Sequence, residues 1–110
     1  MKVGIIRCRE TENYCPGTMD IRFALTKQGK FAELEGETEL IGFVSCGGCP
    51  GKQAVLRARE LKKRGAEAIA FASCMGKGIP IEFKCPFFDE IKAAVRREVG
   101  DDIILLDYTH

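Results

Sequence analysis

Leu40-Ile41-Gly42-Phe43-Val44-Ser45-Cys46-Gly47-Gly48-Cys49-Pro50-Gly51-Lys52 is the stretch on which the fold turns. Leu40 to Ser45 is almost continuously apolar and of strand length. That composition suits a strand covered on both faces, as in a parallel sheet. The glycines that follow mark a tight turn. Pro50 suits the first turn of a helix, where its missing N–H is not needed. Ala54, Val55, Ala58 and Leu61 then recur on one helical stripe, with Arg57, Arg59, Glu60, Lys63 and Arg64 opposite. Gly65 is a natural stop. One strand–turn–helix unit is therefore in hand, with two thiols in its turn.

Downstream, Ala66 to Ser73 repeats the strand signal. Ile69-Ala70-Phe71-Ala72-Ser73-Cys74 matches Ile41-Gly42-Phe43-Val44-Ser45-Cys46 in its Ile, Phe, Ser and Cys, at an offset of 28 residues (Ile41 to Ile69). That spacing is one βα unit with similar packing needs. Met75 to Lys84 reads as a loop. Cys85-Pro86 opens a helix whose buried stripe is Phe88, Ile91, Val95 and Val99, ended by Gly100. Ile103 to Leu106 is a last strand, and Tyr108-Thr109-His110 closes the chain. Upstream, Lys2 to Cys8 is a buried first strand and Arg9 to Tyr14 a polar loop. Cys15-Pro16-Gly17-Thr18 leads into a helix packed through Met19 and Phe23, with Ile21 and Leu25 contributing and Gly29 ending it. Phe31 and Leu34 of the next connection pack onto the core.

The order β-α-β-α-β-α-β predicts one α/β domain over residues 1–110: a four-stranded parallel sheet with helices on both faces. The expected architecture is a flavodoxin-like or Rossmann-like three-layer sandwich, with strand order 2-1-3-4 preferred over an order without reversal.

A chain of 110 residues buries enough surface to fold without disulfides or metal, so its six cysteines call for another explanation. A net charge of +1 gives no footprint for nucleic acid or an anionic membrane. Apolar runs are strand-sized, which predicts no membrane span. The N-terminus reaches charge too early for a secretory signal. The expected setting is the cytoplasm, where thiols stay reduced. Cysteines there point to metal or redox chemistry more than to disulfides.

The strand assignments place those cysteines together. Cys8, Cys46 and Cys74 end strands one, two and three, and His110 follows strand four. Cys49 is one turn beyond Cys46, and Cys15 and Cys85 precede helices. All seven fall on the carboxyl edge of the sheet, where open α/β sheets bind ligands. Helix N-termini on that edge favour thiolate over thiol. Cys-x-x-Cys spacing lets two thiolates reach one metal ion. Cys8, Cys46, Cys49 and Cys74 form the first expected ligand set, with His110, Cys15 and Cys85 in reserve. Gly47 and Gly48 would let backbone approach a bound group, with Lys52 beside it as a cofactor-binding cation. A Walker-type phosphate loop does not fit, because the spacing differs and no Ser or Thr follows Lys52. The single histidine leaves no Ser-His-Asp set.

The Cys46-Gly47-Gly48-Cys49-Pro50-Gly51-Lys52 run closely resembles the signature of the CGGC-domain family of bacterial and archaeal proteins. Cys8, Cys15, Ser73-Cys74 and Lys84-Cys85-Pro86 extend the likeness over nearly the whole chain. That family commonly ends near Gly-Thr-His, and here the place reads Tyr108-Thr109-His110. The resemblance implies metal binding through the cysteines and the histidine, and it names no reaction.

Two functions follow as expectations. The first is a metal-binding protein holding zinc or an iron–sulfur cluster in thiolates; the residues do not choose between the two. The second is a thiol–disulfide oxidoreductase or redox sensor using Cys46 and Cys49. The second leaves four cysteines unexplained. Against both stands the plain reading of Cys8 and Cys74 as small hydrophobes of the core.

Overall fold

A computed structural model describes residues 1–110. Four strands, β1 (Lys2–Arg7), β2 (Glu39–Ser45), β3 (Ala68–Phe71) and β4 (Ile104–Leu106), form one parallel sheet in the order β2-β1-β3-β4. The helices are α1 (Thr18–Thr26), α2 (Gln53–Lys63), a one-turn α3 (Ser73–Gly76) and α4 (Phe88–Val99). Short 3-10 turns cover Arg9–Thr11 and Gly29–Glu33. Strand order and parallel pairing are those expected from the βα spacing. No helix is long and apolar enough to cross a membrane.

Alternation along the strands assigns the two faces. A Cβ on Gly4 or Gly42 would fall 2.7 or 2.5 Å from the Leu61 side chain, so these paired glycines form the notch that seats α2. Phe71 meets Phe88 of α4 edge to face, with ring centroids 5.4 Å apart. Phe43, next after Gly42, points the other way and packs beneath Gly17 at the start of α1. Helices α2 and α4 thus share one face, and α1 takes the opposite one. Val3, Ile5, Ile6, Ile69 and Phe71 are fully buried between the layers. The expected stripe Phe88, Ile91, Val95 and Val99 is buried throughout. So are Ala54, Ala58 and Leu61.

Four expectations are corrected. Strand β2 is half-buried along most of its length, because it lies at the sheet edge rather than inside it. A bulge opposite Val3 and Gly4, and the Arg57 guanidinium donating to the Ser45 carbonyl at 2.8 Å, interrupt that open edge. Helix α1 turns the other way from the apolar pairing. Asp20 and Ala24 are buried, while Met19, Ile21 and Leu25 are exposed. Small residues face inward because the helix sits close on Phe43, and a hydroxyl partner satisfies the Asp20 carboxylate. The helix stops at Lys27 in a left-handed conformation (φ 56°), before Gly29. Finally, α2 begins at Gln53, so Pro50 belongs to the preceding turn. The conformation of Gly51 (φ 89°), packed under Ile91, is not helical.

Candidate functional site

Three strand ends build the site. The Cys46 N–H donates to the Arg7 carbonyl at 2.7 Å, and the Ala72 N–H to the Ile6 carbonyl at 2.8 Å, which carries the ladder past the strands. Cys74 does not end β3, as expected from sequence; it lies in α3, where the chain turns back over the sheet edge. The Cys8 N–H donates to Cys74 Sγ at 3.2 Å. The Cys85 N–H donates to the Met75 carbonyl at 3.3 Å, which ties the loop before α4 to α3. The Gly47-Gly48 turn is fastened by the Gly47 N–H on Ser45 Oγ at 3.1 Å. Both glycines have left-handed φ, 84° and 105°. Gln53 fills the space beside Gly47, and the Arg9 guanidinium lies against Gly48.

All six cysteines are free thiols. Cys46 and Cys74 are buried, Cys8, Cys15 and Cys85 partly so, and Cys49 is exposed. Burial pushes the Cys8 thiol pKa up, and the nearby Cys74 and Cys46 sulfurs push it further, against lowering by the Glu10 N–H. Burial raises Cys85 too, reinforced by Cys46, Cys49 and Cys74. Cys74 is raised by burial first. The Cys8 N–H, the Thr11 hydroxyl and the Arg7 charge act to lower it, and the Asp20 charge to raise it. Burial therefore outweighs the thiolate-favouring effect expected of helix N-termini at these three positions. These influences put Cys46 and Cys74 near Cys8, and Cys46, Cys49 and Cys74 near Cys85, so the five sulfurs form one cluster.

The other expected ligands meet on the far side of Cys74. Cys15, Cys74, Asp20 and His110 line a cavity of about 270 Å³ with Tyr14, Met19, Ile79 and Pro80. His110 is held, not frayed. Its N–H donates to Ser73 Oγ at 2.9 Å, its ring meets Phe23 edge-on, and its Nε2 is 3.6 Å from Asp20 Oδ1. Cys74 is the one thiol common to cluster and cavity. Lys52 stands apart from both, lining a groove between α2 and α4 with Phe87 and Arg97. No three Cys, His, Asp or Glu side chains are disposed as they stand to hold a metal ion.

Sequence reading missed the polar setting of these thiols. Arg7, Thr11, Asp20, Ser73 and Thr109 are the buried polar and charged residues of the chain, and all lie at this edge. The Thr109 hydroxyl donates to Asp20, which is only 3% exposed. Ser73 and Thr109 exchange bonds, the Ser73 N–H to Thr109 Oγ1 at 3.2 Å and the Thr109 N–H to Ser73 Oγ at 3.3 Å. A charge closing the otherwise apolar run Val3–Ile6 was a visible signal for Arg7. Asp20 gave none, since an acidic residue in a first helical turn is ordinary.

The raised thiol pKa values fix the sign of a pH effect. A group more basic when folded stabilises the fold below its unfolded pKa, and that stability is lost as pH rises through the folded value. The reduced, metal-free protein is expected to lose stability above the ordinary thiol value of 9.0. Urea midpoints between about pH 8 and pH 10 check this. The fall should flatten when Cys8→Ser, Cys74→Ser and Cys85→Ser are combined; an unchanged slope contradicts the account.

Fold and site together define a doubly wound α/β protein that gathers thiols, with a buried polar shell, at the carboxyl edge of its sheet. The chain belongs to the CGGC-domain family, whose model matches residues 2–110. It is 34% identical over 116 residues to an uncharacterised protein of Methanocaldococcus jannaschii, an alignment covering 99% of this chain and 88% of that protein. A second uncharacterised protein of the same organism is 34% identical over 63 residues, covering 56% of this chain and 89% of its own length. No solved structure matches the chain.

Proposed function

We propose that the protein binds a metal through cysteine thiolates at the carboxyl edge of the sheet, as zinc or as an iron–sulfur cluster. The observation carrying this reading is the convergence of cysteines from separate elements: the Cys8 N–H donates to Cys74 Sγ at 3.2 Å, Cys46 and Cys74 add to the rise of Cys8, and Cys46, Cys49 and Cys74 add to that of Cys85. The donor chemistry suits a soft or borderline metal. The arrangement does not preform the site, so binding has to draw short cysteine side chains inward by rotation. Cys8, Cys46, Cys74 and Cys85 are the first ligand set, with Cys49 at the exposed lip. Cys85 moves up from the reserve because it senses three of the other thiols. Cys15 and His110 approach from the cavity side. Gly47 and Gly48 bring backbone to the bound group, and Lys52 remains peripheral. Zinc there would cross-link the strand ends, whereas a cluster would supply an electron-transfer group. A reducing cytoplasm is the setting in which such thiols persist.

Protein purified without oxygen and without a metal-binding tag should contain close to one zinc per chain, or iron with acid-labile sulfide and visible colour. Metal-free protein that takes up neither on reconstitution ends this reading. One observation favours the thiol–disulfide alternative: Cys49 is exposed beside a buried Cys46. That alternative requires a reversible two-electron couple near the cytosolic poise, lost in Cys49→Ser.

A further inference from the structure

We infer that the cavity on the far side of Cys74 binds a small organic cation, a primary amine on an apolar body about the size of one ring. The site needs no metal. The cavity holds about 270 Å³, near the small end of the range for ligand pockets. Its walls are apolar and come from Tyr14, Met19, Ile79 and Pro80. Tyr14, Met19 and Ile79 are also among the exposed large apolar side chains of the chain, as are Ile81 and Phe83 of the same loop as Ile79. No lysine or arginine lines the cavity.

Asp20 lines this cavity and is only 3% exposed. It sits in the first turn of α1, where the helix dipole favours an ionised carboxylate. Its Oδ1 accepts the Thr109 hydroxyl, and His110 Nε2 stands off at 3.6 Å, beyond hydrogen-bond reach. Oδ2 accepts no hydrogen bond from the chain and is not sealed from solvent, so it opens on the cavity that Asp20 lines. An ionised carboxylate accepts several donors, and burying it with one is costly. Arg7, the other buried charge, does not supply the missing partner. Its guanidinium donates to the Cys15 carbonyl at 2.5 Å, no ion pair joins it to Asp20, and it does not line the cavity. An ammonium group is a compact charge with three donors. Seated against Oδ2, it supplies both the donor and the charge, while its apolar body lies along the walls. A neutral alcohol supplies a donor without the charge. The N-terminus of α1 favours an anion, but Asp20 already provides one there.

The test titrates the full, reduced chain at neutral pH with benzylamine, benzyl alcohol and benzoate, following backbone amide resonances. Benzylamine should saturate with a Kd of about 1 mM or below, and should bind about tenfold more tightly than either analogue. The shifts should centre on Cys15, Asp20, Cys74 and His110. Asp20→Asn keeps the shape of the side chain without its charge. It should weaken benzylamine about tenfold and leave benzyl alcohol within about twofold. Should Asp20→Asn fail to fold, Met19→Lys on the exposed side of α1 takes its place, since a cation tethered at the wall should weaken benzylamine about tenfold and benzyl alcohol much less. The proposal is overturned by an absence of saturation, by equal affinities for the three probes, or by a preference for benzoate. Shifts centred in the groove between α2 and α4, or variants that bind benzylamine as the wild type does, overturn it equally.

Discussion

Replacing Cys46 with serine is expected to weaken metal binding about 100- to 1,000-fold while leaving the fold intact. Cys46 is 5% exposed, and its sulfur is one that raises both Cys8 and Cys85, which puts it centrally in the cluster. Structural zinc sites with four ligands bind with about 10–16 kcal/mol, so one lost thiolate costs about 3 kcal/mol or more. Serine keeps nearly the same shape and is a poor donor to a thiophilic ion. The cost to the metal-free fold should be about 1 kcal/mol, from burying a hydroxyl in place of a thiol. Competition titration gives the affinity, and circular dichroism with a urea midpoint reports the fold. Cys49→Ser, at the exposed lip, should cost less than Cys46→Ser. A thiol–disulfide function would remove that ranking, since both thiols of a redox pair are indispensable.

Gly76→Ala is expected to destabilise the protein by about 3 kcal/mol and to release the His110 end of the chain. A Cβ at Gly76 would lie 2.0 Å from the Asp107 carbonyl oxygen and 3.1 Å from its carbon. Both are backbone atoms, so no rotamer change relieves the overlap. The chain leaving β4 has to move away from α3, and the bonds between Ser73 and Thr109 part with it. Asp20 then loses the Thr109 hydroxyl while remaining buried, which adds the cost of an unsatisfied carboxylate. Denaturant unfolding at constant m value measures the loss. A change under about 0.5 kcal/mol would show that the segment yields freely.

The sheet was legible because its signals were strong and local. Leu40–Ser45 and Ala66–Ser73 are each followed by a cysteine, and a periodic helix stopped by Gly65 follows the first. Right-handed crossovers then leave few strand orders. The faces of α1 were not legible. Nine residues carrying Met19, Ile21, Phe23 and Leu25 offer apolar choices on several sides, and the close approach of Phe43 settles the matter in favour of Asp20 and Ala24. The half-exposure of β2 was hidden for a related reason: its apolar composition is that of a strand covered on both faces, although the expected strand order already put it at the sheet edge.

At the site, strand ends and helix entries were enough to expect all six cysteines and His110 on one edge. Their division into a cluster and a cavity meeting at Cys74 depends on α3, a single turn that the Met75–Lys84 stretch gave no reason to expect. Cys85 reaches the cluster through its bond to Met75, a long-range tie invisible in local pattern. The ionisation of the thiols was also misjudged from helix ends alone. Burial dominates at Cys8, Cys74 and Cys85, and burial is a tertiary quantity.

Cobalt(II) titration of the reduced, metal-free chain tests the thiolate centre most directly, since sulfur-to-cobalt charge transfer reports bound thiolates and visible bands report tetrahedral coordination. The account predicts saturation at one cobalt per chain, charge-transfer intensity for three or four thiolates, and release of about that many protons. Saturation without charge-transfer absorption, or no saturable binding at all, would contradict it.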